Sequence, residues 1–282
     1  VSIGLASIGM WVNTDVLEAT GATMPEEWTT WEAFADAMET VRVNGEAMGY
    51  YSYGSGQGSI RMFNAALAAT PAGAEMLKGP LTADAINSEE FADAFRTVAT
   101  LDQQNGSANS SVNANDFAAD FNNGLSAVFI NGVWGASQFA GSDNFVSCIY
   151  PNSVAISSAN TGLYVANDLS DAQKELALEF IKYMTSEEVQ SRYFLETSSN
   201  PINENVDIQK LAQESGDPTA LKLAEACDKC NKADTIVLAI DVCWGNDVGG
   251  ALQNKFAECA VAGTDIEAKL AELQAELTAL IG

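Results

Sequence analysis

The chain has no histidine. Ser-His-Asp and Cys-His nucleophilic catalysis, histidine metal ligation and a histidine proton switch are therefore excluded in their usual forms. Cations are scarce as well: 13 Lys plus Arg stand against 38 Asp plus Glu in 282 residues, a formal net charge of -25 at pH 7. Such a surface repels nucleic-acid phosphates and anionic lipid and favours solubility, so neither DNA nor RNA is an expected partner. No apolar run approaches the length of a membrane span, and no secretory leader opens the sequence, as in a mature or truncated chain. The glycine-rich stretch Tyr53–Gly58 lacks both the GxxxxGK and the dinucleotide spacing, which argues against a phosphate loop.

Cysteines are few: Cys148, Cys227, Cys230, Cys243 and Cys259. The Cys227-Asp-Lys-Cys230 pair reads as a redox motif or as half of a metal site. Adding Cys243 and Cys259 permits four thiolates on paper, but the second half has no paired CxxC. A disulfide in this cluster, plain buried thiols and a metal remain open, with Cys148 the expected odd residue outside any pairing. Carboxylates are so numerous that an acid pair for glycoside hydrolysis cannot be picked out from spacing alone.

The hydrophobic content, 47%, is enough for a substantial core in one large domain or two smaller ones. The organising stretch is Phe117–Phe139. It reads as a helix end with Phe117 and Phe121 buried, a turn at Asn122–Gly124, a buried strand Ala127–Ile130, a second turn at Asn131–Gly132, and Trp134 at a strand-to-helix junction. In α/β folds the crevice beyond strand ends collects ligands, so Trp134 is either a binding platform or simple packing. A flat ring among small and amide residues suits the face of a sugar.

Elsewhere Val1–Asn13 reads as a strand and Thr14–Gly21 as a short helix. Thr29 with Glu32, Ser88, Ser170 with Gln173, Thr185 with Glu188, and Thr264 with Glu267 read as helix caps. Trp28 and Trp31 belong to the core. Tyr50, Tyr51 and Tyr53 alternate, so Tyr51 faces opposite to its neighbours, and the following glycines read as a flexible pocket lip. Arg61 is assigned a surface ion pair. Asn105–Asn115 reads as an exposed polar loop. Val154–Ile156 and Leu163–Ala166 read as short strands around a Ser157–Gly162 turn, and Ile236–Val242 as a β-rich run before Cys243–Trp244. The last helix, with Ile266, Leu270, Leu273, Leu277 and Leu280 on one stripe, is too short for a coiled coil and docks by one face.

Three ordered blocks carry a resemblance: IGMWVNTDVLEATG with TTWEAFADAM, FNNGLSAVFINGVWGASQF, and the run from Tyr164 to Val206. Together they resemble the extracellular solute-binding proteins of bacterial ABC importers, the maltose-binding-protein-like family 1. Thr14 stands where that family usually has lysine in an Asn-Lys-Asp turn. Val133 replaces the proline of its Gly-Pro-Trp turn.

The resemblance implies an α/β, periplasmic-binding-protein-like fold of type II, two lobes joined by hinge crossings, with the first lobe incomplete. Residues 1–150 would form most of the second lobe, 151–235 a returning part of the first, and 236–282 helices packing back on the second. It implies a non-enzymatic monomer, without a cofactor or metal, that binds a sugar or oligosaccharide and delivers it to ABC transporter permease subunits. The location implied is extracellular or periplasmic, with any lipoprotein anchor in an N-terminal segment absent here. By position, Trp134 matches the family's stacking aromatic and Trp244 a second one. Tyr51, Asn131 and the Asn160–Thr161–Gly162 turn are further ligand-binding candidates. The competing expectations are a surface or redox protein using Cys227 and Cys230, and a carboxylate-based glycan hydrolase.

Overall fold

The fold is built on its first strand. In a computed structural model describing residues 1–51, 53–105 and 114–282, with 51, 53–57, 114–117 and 159–161 described by backbone alone, β1 spans Ser2–Asn13. The chain continues through α1 (Thr14–Thr20), α2 (Trp31–Asn44), β2 (Met48–Tyr51), α3 (Tyr53–Ala68), the short α4 (Pro71–Met76) and α5 (Ala83–Ile86), and α6 (Glu89–Asn105). Next come α7 (Ala114–Asn122), β3 (Ser126–Gly132), α8 (Ala136–Phe139), β4 (Phe145–Cys148) and β5 (Val154–Gly162). The last part holds α9 (Asp171–Met184), α10 (Glu187–Thr197), α11 (Ile208–Ser215), α12 (Pro218–Asn231), β6 (Thr235–Leu238), α13 (Ile240–Cys243), α14 (Asn246–Cys259) and α15 (Ile266–Ile281).

The strands make one six-stranded sheet in the order β2-β3-β1-β5-β6, with β4 also paired to β1. β1 runs antiparallel to β3 from Ile8 opposite Gly132 to Val12 opposite Val128, and antiparallel to β5 over its first half. β2 and β6 extend the sheet in parallel. Strand alternation sends Met10 and Val12 to one face and Trp11 to the other. The first face meets α2, α3, α6, α14 and α15 in the main core, while Trp11 meets Phe121, Phe129, Phe139, Phe145 and α12 in a second core. Helical cover on both faces leaves every residue of β3 buried, including Asn131 and Gly132. Those two residues therefore belong to the strand and not to a turn, because Gly9 and Ile8 of β1 still pair with them.

Several local expectations shift for identifiable reasons. Helix starts fall one residue later than read: Thr30, Ser186 and Asp265 accept from the amides of Ala33, Val189 and Ala268. Each follows another capping-competent residue, and the one nearer the buried stripe takes the position. The Ser170–Gln173 box closes in both directions as read. Tyr53–Gly58 is the first part of α3 and not a lip, helix propensity yielding to the tertiary placement of Ile60 and Phe63. β5 runs unbroken through Ser157–Gly162 because β1 offers partners as far as Ser2, and Leu163–Ala166 lies beyond that ladder. β6 stops at Leu238, after which Asn64 Oδ1 accepts the Ile240 amide and α13 begins. Most of the polar loop read at Asn105–Asn115 lies outside the described residues.

Candidate functional site

The site begins where β3 ends. Trp11 Nε1 donates to the carbonyl of Gly132 at 2.9 Å, and its ring lies so close to Gly135 that a Cβ there would stand 2.5 Å from Nε1. This buried indole holds the turn Val133–Gly135 from beneath. Above it, Trp134 stays 38% exposed with its ring laid over Gly132. A cavity of about 290 Å³ opens beside Trp134, walled by Gly4–Ala6 of β1, Tyr193 of α10, and Ser198 and Ser199.

Tyr193 repeats the arrangement on β1: a Cβ on Gly4 would meet its Cε1 at 2.8 Å. Glycine within a strand commonly marks such a close approach. The β1–β5 ladder shifts register on both sides of Gly4. The far wall is fixed to β1 by several bonds. Leu5 N–H donates to Asn200 O at 2.9 Å, Asn200 Nδ2 donates to Ser7 Oγ at 3.0 Å, and the fully buried Gln190 donates to Ile3 O at 3.0 Å. Ser198 adopts a left-handed conformation at φ 52°, turning the chain from α10 back toward β1. None of the described residues lining the cavity carries a formal charge at neutral pH. Two aromatic rings, two hydroxyls and backbone groups can stack on and hydrogen-bond a neutral polyhydroxylated ring.

The other residues picked from sequence lie elsewhere or are described in part. Trp244 is 8% exposed, donates from Nε1 to Met76 O at 3.2 Å and stacks on Phe91 inside the main core. Asn131 is buried, its Oδ1 accepting the Gly132 amide at 2.9 Å, and does not line the cavity. Tyr51 ends β2 opposite Phe129. Asn160, Thr161 and Gly162 end β5, with Thr161 opposite Gly4 on the strand that walls the cavity. The side chains of Tyr51, Asn160 and Thr161 lie outside the described set. Sequence reading missed Tyr193, Ser198 and Ser199. The available signal was Gly4, a glycine inside an apolar strand.

Arg61, Lys78, Cys227 and Cys230 do not line the cavity. Arg61 pairs with Asp241 at 2.5 Å, largely shielded and so less exposed than a surface pair, and Lys78 pairs with Glu75 at 2.6 Å. Cys227 and Cys230 are buried free thiols; burial pushes Cys230 up to about 12 and Cys227 further, opposite to the activation a redox thiol requires. Among the described residues, no three His, Cys, Asp or Glu side chains gather as a metal site, and no helix is long and apolar enough to cross a membrane.

Comparison with known proteins adds four similarities. Residues 2–219 match the family model described as bacterial extracellular solute-binding protein. A solved Streptococcus pneumoniae solute-binding protein, in complex with the blood group A-trisaccharide, is 38% identical, with a TM-score of 0.90 over 99% of this chain and 71% of its own. The fold is also shared with a chitin oligosaccharide binding protein, at 19% identity and a TM-score of 0.75 over 99% of this chain and 71% of that one. The same holds for the sugar-binding protein MalE from Xanthomonas citri, at 15% and 0.76 over 99% and 69%. A search of the curated proteins returns no match.

Proposed function

This chain belongs to the bacterial extracellular solute-binding proteins, and on that premise we propose that it captures a neutral sugar or oligosaccharide without chemical turnover and hands it to the permease of an ABC transporter. The observation that carries the reading is the pairing of Trp134 and Tyr193 around an uncharged cavity, each ring laid on a strand glycine. Stacked rings supply apolar contact to the C–H face of a sugar, and Ser198 and Ser199 offer hydroxyls to its rim. The trisaccharide complex of the Streptococcus pneumoniae relative supports the same ligand class.

A hydrolase is disfavoured because no carboxylate is among the described residues lining the cavity, and a redox role because Cys227 and Cys230 are buried with raised pKa values. In this reading the protein acts outside the cell or in the periplasm as a monomer, with lipoprotein anchoring one means of retention. Residues 1–150 supply most of the second lobe, 151–235 a returning part of the first, and 236–282 helices that pack back on the second.

The test is a calorimetric and tryptophan-fluorescence titration of the folded chain against neutral mono- and oligosaccharides, the blood group A-trisaccharide among them. Saturable binding that weakens more than about tenfold in Trp134→Ala supports the proposal. Preference for phosphorylated or carboxylated analogues, or hydrolysis of the bound glycan, overturns it.

A further inference from the structure

The cavity does not use the carboxyl of Asp102. It lies buried in α6, where the Tyr50 hydroxyl of β2 donates to Oδ1 and the Ser59 hydroxyl of α3 donates to the same carboxyl group. Its other oxygen, Oδ2, has no partner among the described residues. Neither has Oδ1 of Asn105, which is buried one turn further along the helix at the i+3 position. The Asn105 backbone is pressed against β2 as well, since a Cβ on Gly49 would stand 3.2 Å from its carbonyl oxygen. Two buried acceptors on one helix face, with no donor for either among the described residues, are each deprived of the bond they made to water in the unfolded chain. One added proton would turn Oδ2 into a donor, and Asn105 Oδ1, one turn along the same face, is an acceptor that lacks one.

We propose that Asp102 is held as a neutral carboxylic acid donating from Oδ2 to Asn105 Oδ1, and that its ionisation on passing from acid to neutral medium loosens the junction of β2, α3 and α6. The environment favours the proton. Burial pushes Asp102 from the ordinary 3.8 up to about 7, against the downward pull of the Tyr50 and Ser59 bonds. The titratable groups facing it are Tyr50 from β2 and Cys259 from α14, both raised by their own burial and then by a charge on Asp102. Lys255 and Glu258 of α14 and Lys269 of α15 act on Cys259, and these cations are paired with Glu258 and Glu272. From α2, Met38 lies with Asn105 against Gly49 of β2 and does not titrate. Among the described residues no cation pairs with Asp102.

The sign follows from linkage. A carboxyl whose folded value is raised keeps its proton while the unfolded chain has lost it. The stabilisation is complete below about 4 and is lost as pH rises through about 7, by at most tenfold in the folding equilibrium per pH unit. Asp102→Asn places an amide donor at the same position without a titratable proton. Denaturant unfolding from about pH 4 to 8 should then show the parent losing stability relative to Asp102→Asn, with the two curves parallel above the transition. Parallel curves throughout overturn the proposal, since a bridging water would leave no such difference. Asn105→Ala should move the transition to lower pH, and an unmoved transition places the proton elsewhere and overturns the Asn105 contact. Difference infrared spectroscopy of the unaltered protein needs no variant to fold. A carboxylic-acid C=O band that persists well above the ordinary carboxylate range and vanishes near pH 7 supports the clasp, and its absence overturns it.

Discussion

The indole of Trp134 occupies the space that a side chain on Gly132 would need. A Cβ at Gly132 would stand 2.1 Å from Cζ3 and 2.3 Å from Cη2 of that ring. The glycine has an ordinary extended conformation at φ -82°, so space and not backbone geometry is what excludes a larger residue. β3 therefore sets the tilt of its own exposed aromatic.

Gly132→Ala should separate binding from folding. Alanine adopts this backbone freely, and the ring it displaces is partly exposed and can swing outward at a cost of about 0.5–1.5 kcal/mol for a distorted rotamer. Thermal unfolding should change by a few degrees at most, while sugar affinity measured by calorimetry should fall by about tenfold or more as the platform tilts. Undiminished affinity would remove Trp134 from the binding surface.

Trp244→Ala should do the reverse. This indole is enclosed by the main core, stacked on Phe91 at 6.3 Å between ring centres and bonded to Met76 O. Truncation should cost about 3–5 kcal/mol in a denaturant titration, against less than about 1 kcal/mol for Trp134→Ala. At temperatures where the variant remains folded, ligand affinity should match the parent. A tenfold loss of affinity would place Trp244 at the ligand after all.

These two tryptophans mark how far sequence pattern reaches. The α/β, periplasmic-binding-protein-like class was legible because apolar strands, capped helices and three ordered blocks agree with one another. β1, the buried strand at Ala127–Ile130 and the Ser170–Gln173 cap are local patterns and stand as read. Trp134 and Trp244 look alike in sequence, each beside glycine at an element boundary, yet only tertiary packing places one on a cavity wall and the other against Phe91. Tyr193 was invisible for the same reason. Its partner Gly4 lies far away in the chain, and no periodicity joins a helix residue to a strand glycine. Likewise, β5 looks like two strands around a polar turn until β1 supplies partners from Ile8 to Ser2.

The five thiols should report burial and not redox chemistry. Cys227, Cys230 and Cys259 are enclosed, and burial raises Cys148 to about 12 and Cys243 to about 11, so thiolate is scarce at neutral pH. A colorimetric thiol reagent should react slowly with the native protein and with all five groups after denaturation without reductant. A shortfall of two on denaturation would demonstrate a disulfide. Rapid native labelling at Cys227 or Cys230 would restore the redox reading.

The helix α9 carries the last prediction. It has a complete capping box and a Lys182–Glu179 pair at 2.6 Å, yet none of its residues is buried. Leu176 is 72% exposed, and Leu178, Phe180 and Tyr183 are about half exposed. Helices of this length are marginal in water without a packed face, so amides of α9 should exchange with solvent much faster than those of the enclosed β3. An apolar surface of this kind should also bind a hydrophobic dye and promote concentration-dependent association. Leu176→Ser with Phe180→Ser should reduce both signals while leaving thermal stability nearly unchanged, because the replaced side chains bury little here. A large fall in melting temperature, or α9 amides as protected as those of β3, would mean that the face is already covered in solution. The proposed assignment of 151–235 to a returning part of the first lobe predicts the opposite outcome, an α9 face left open to solvent in this chain.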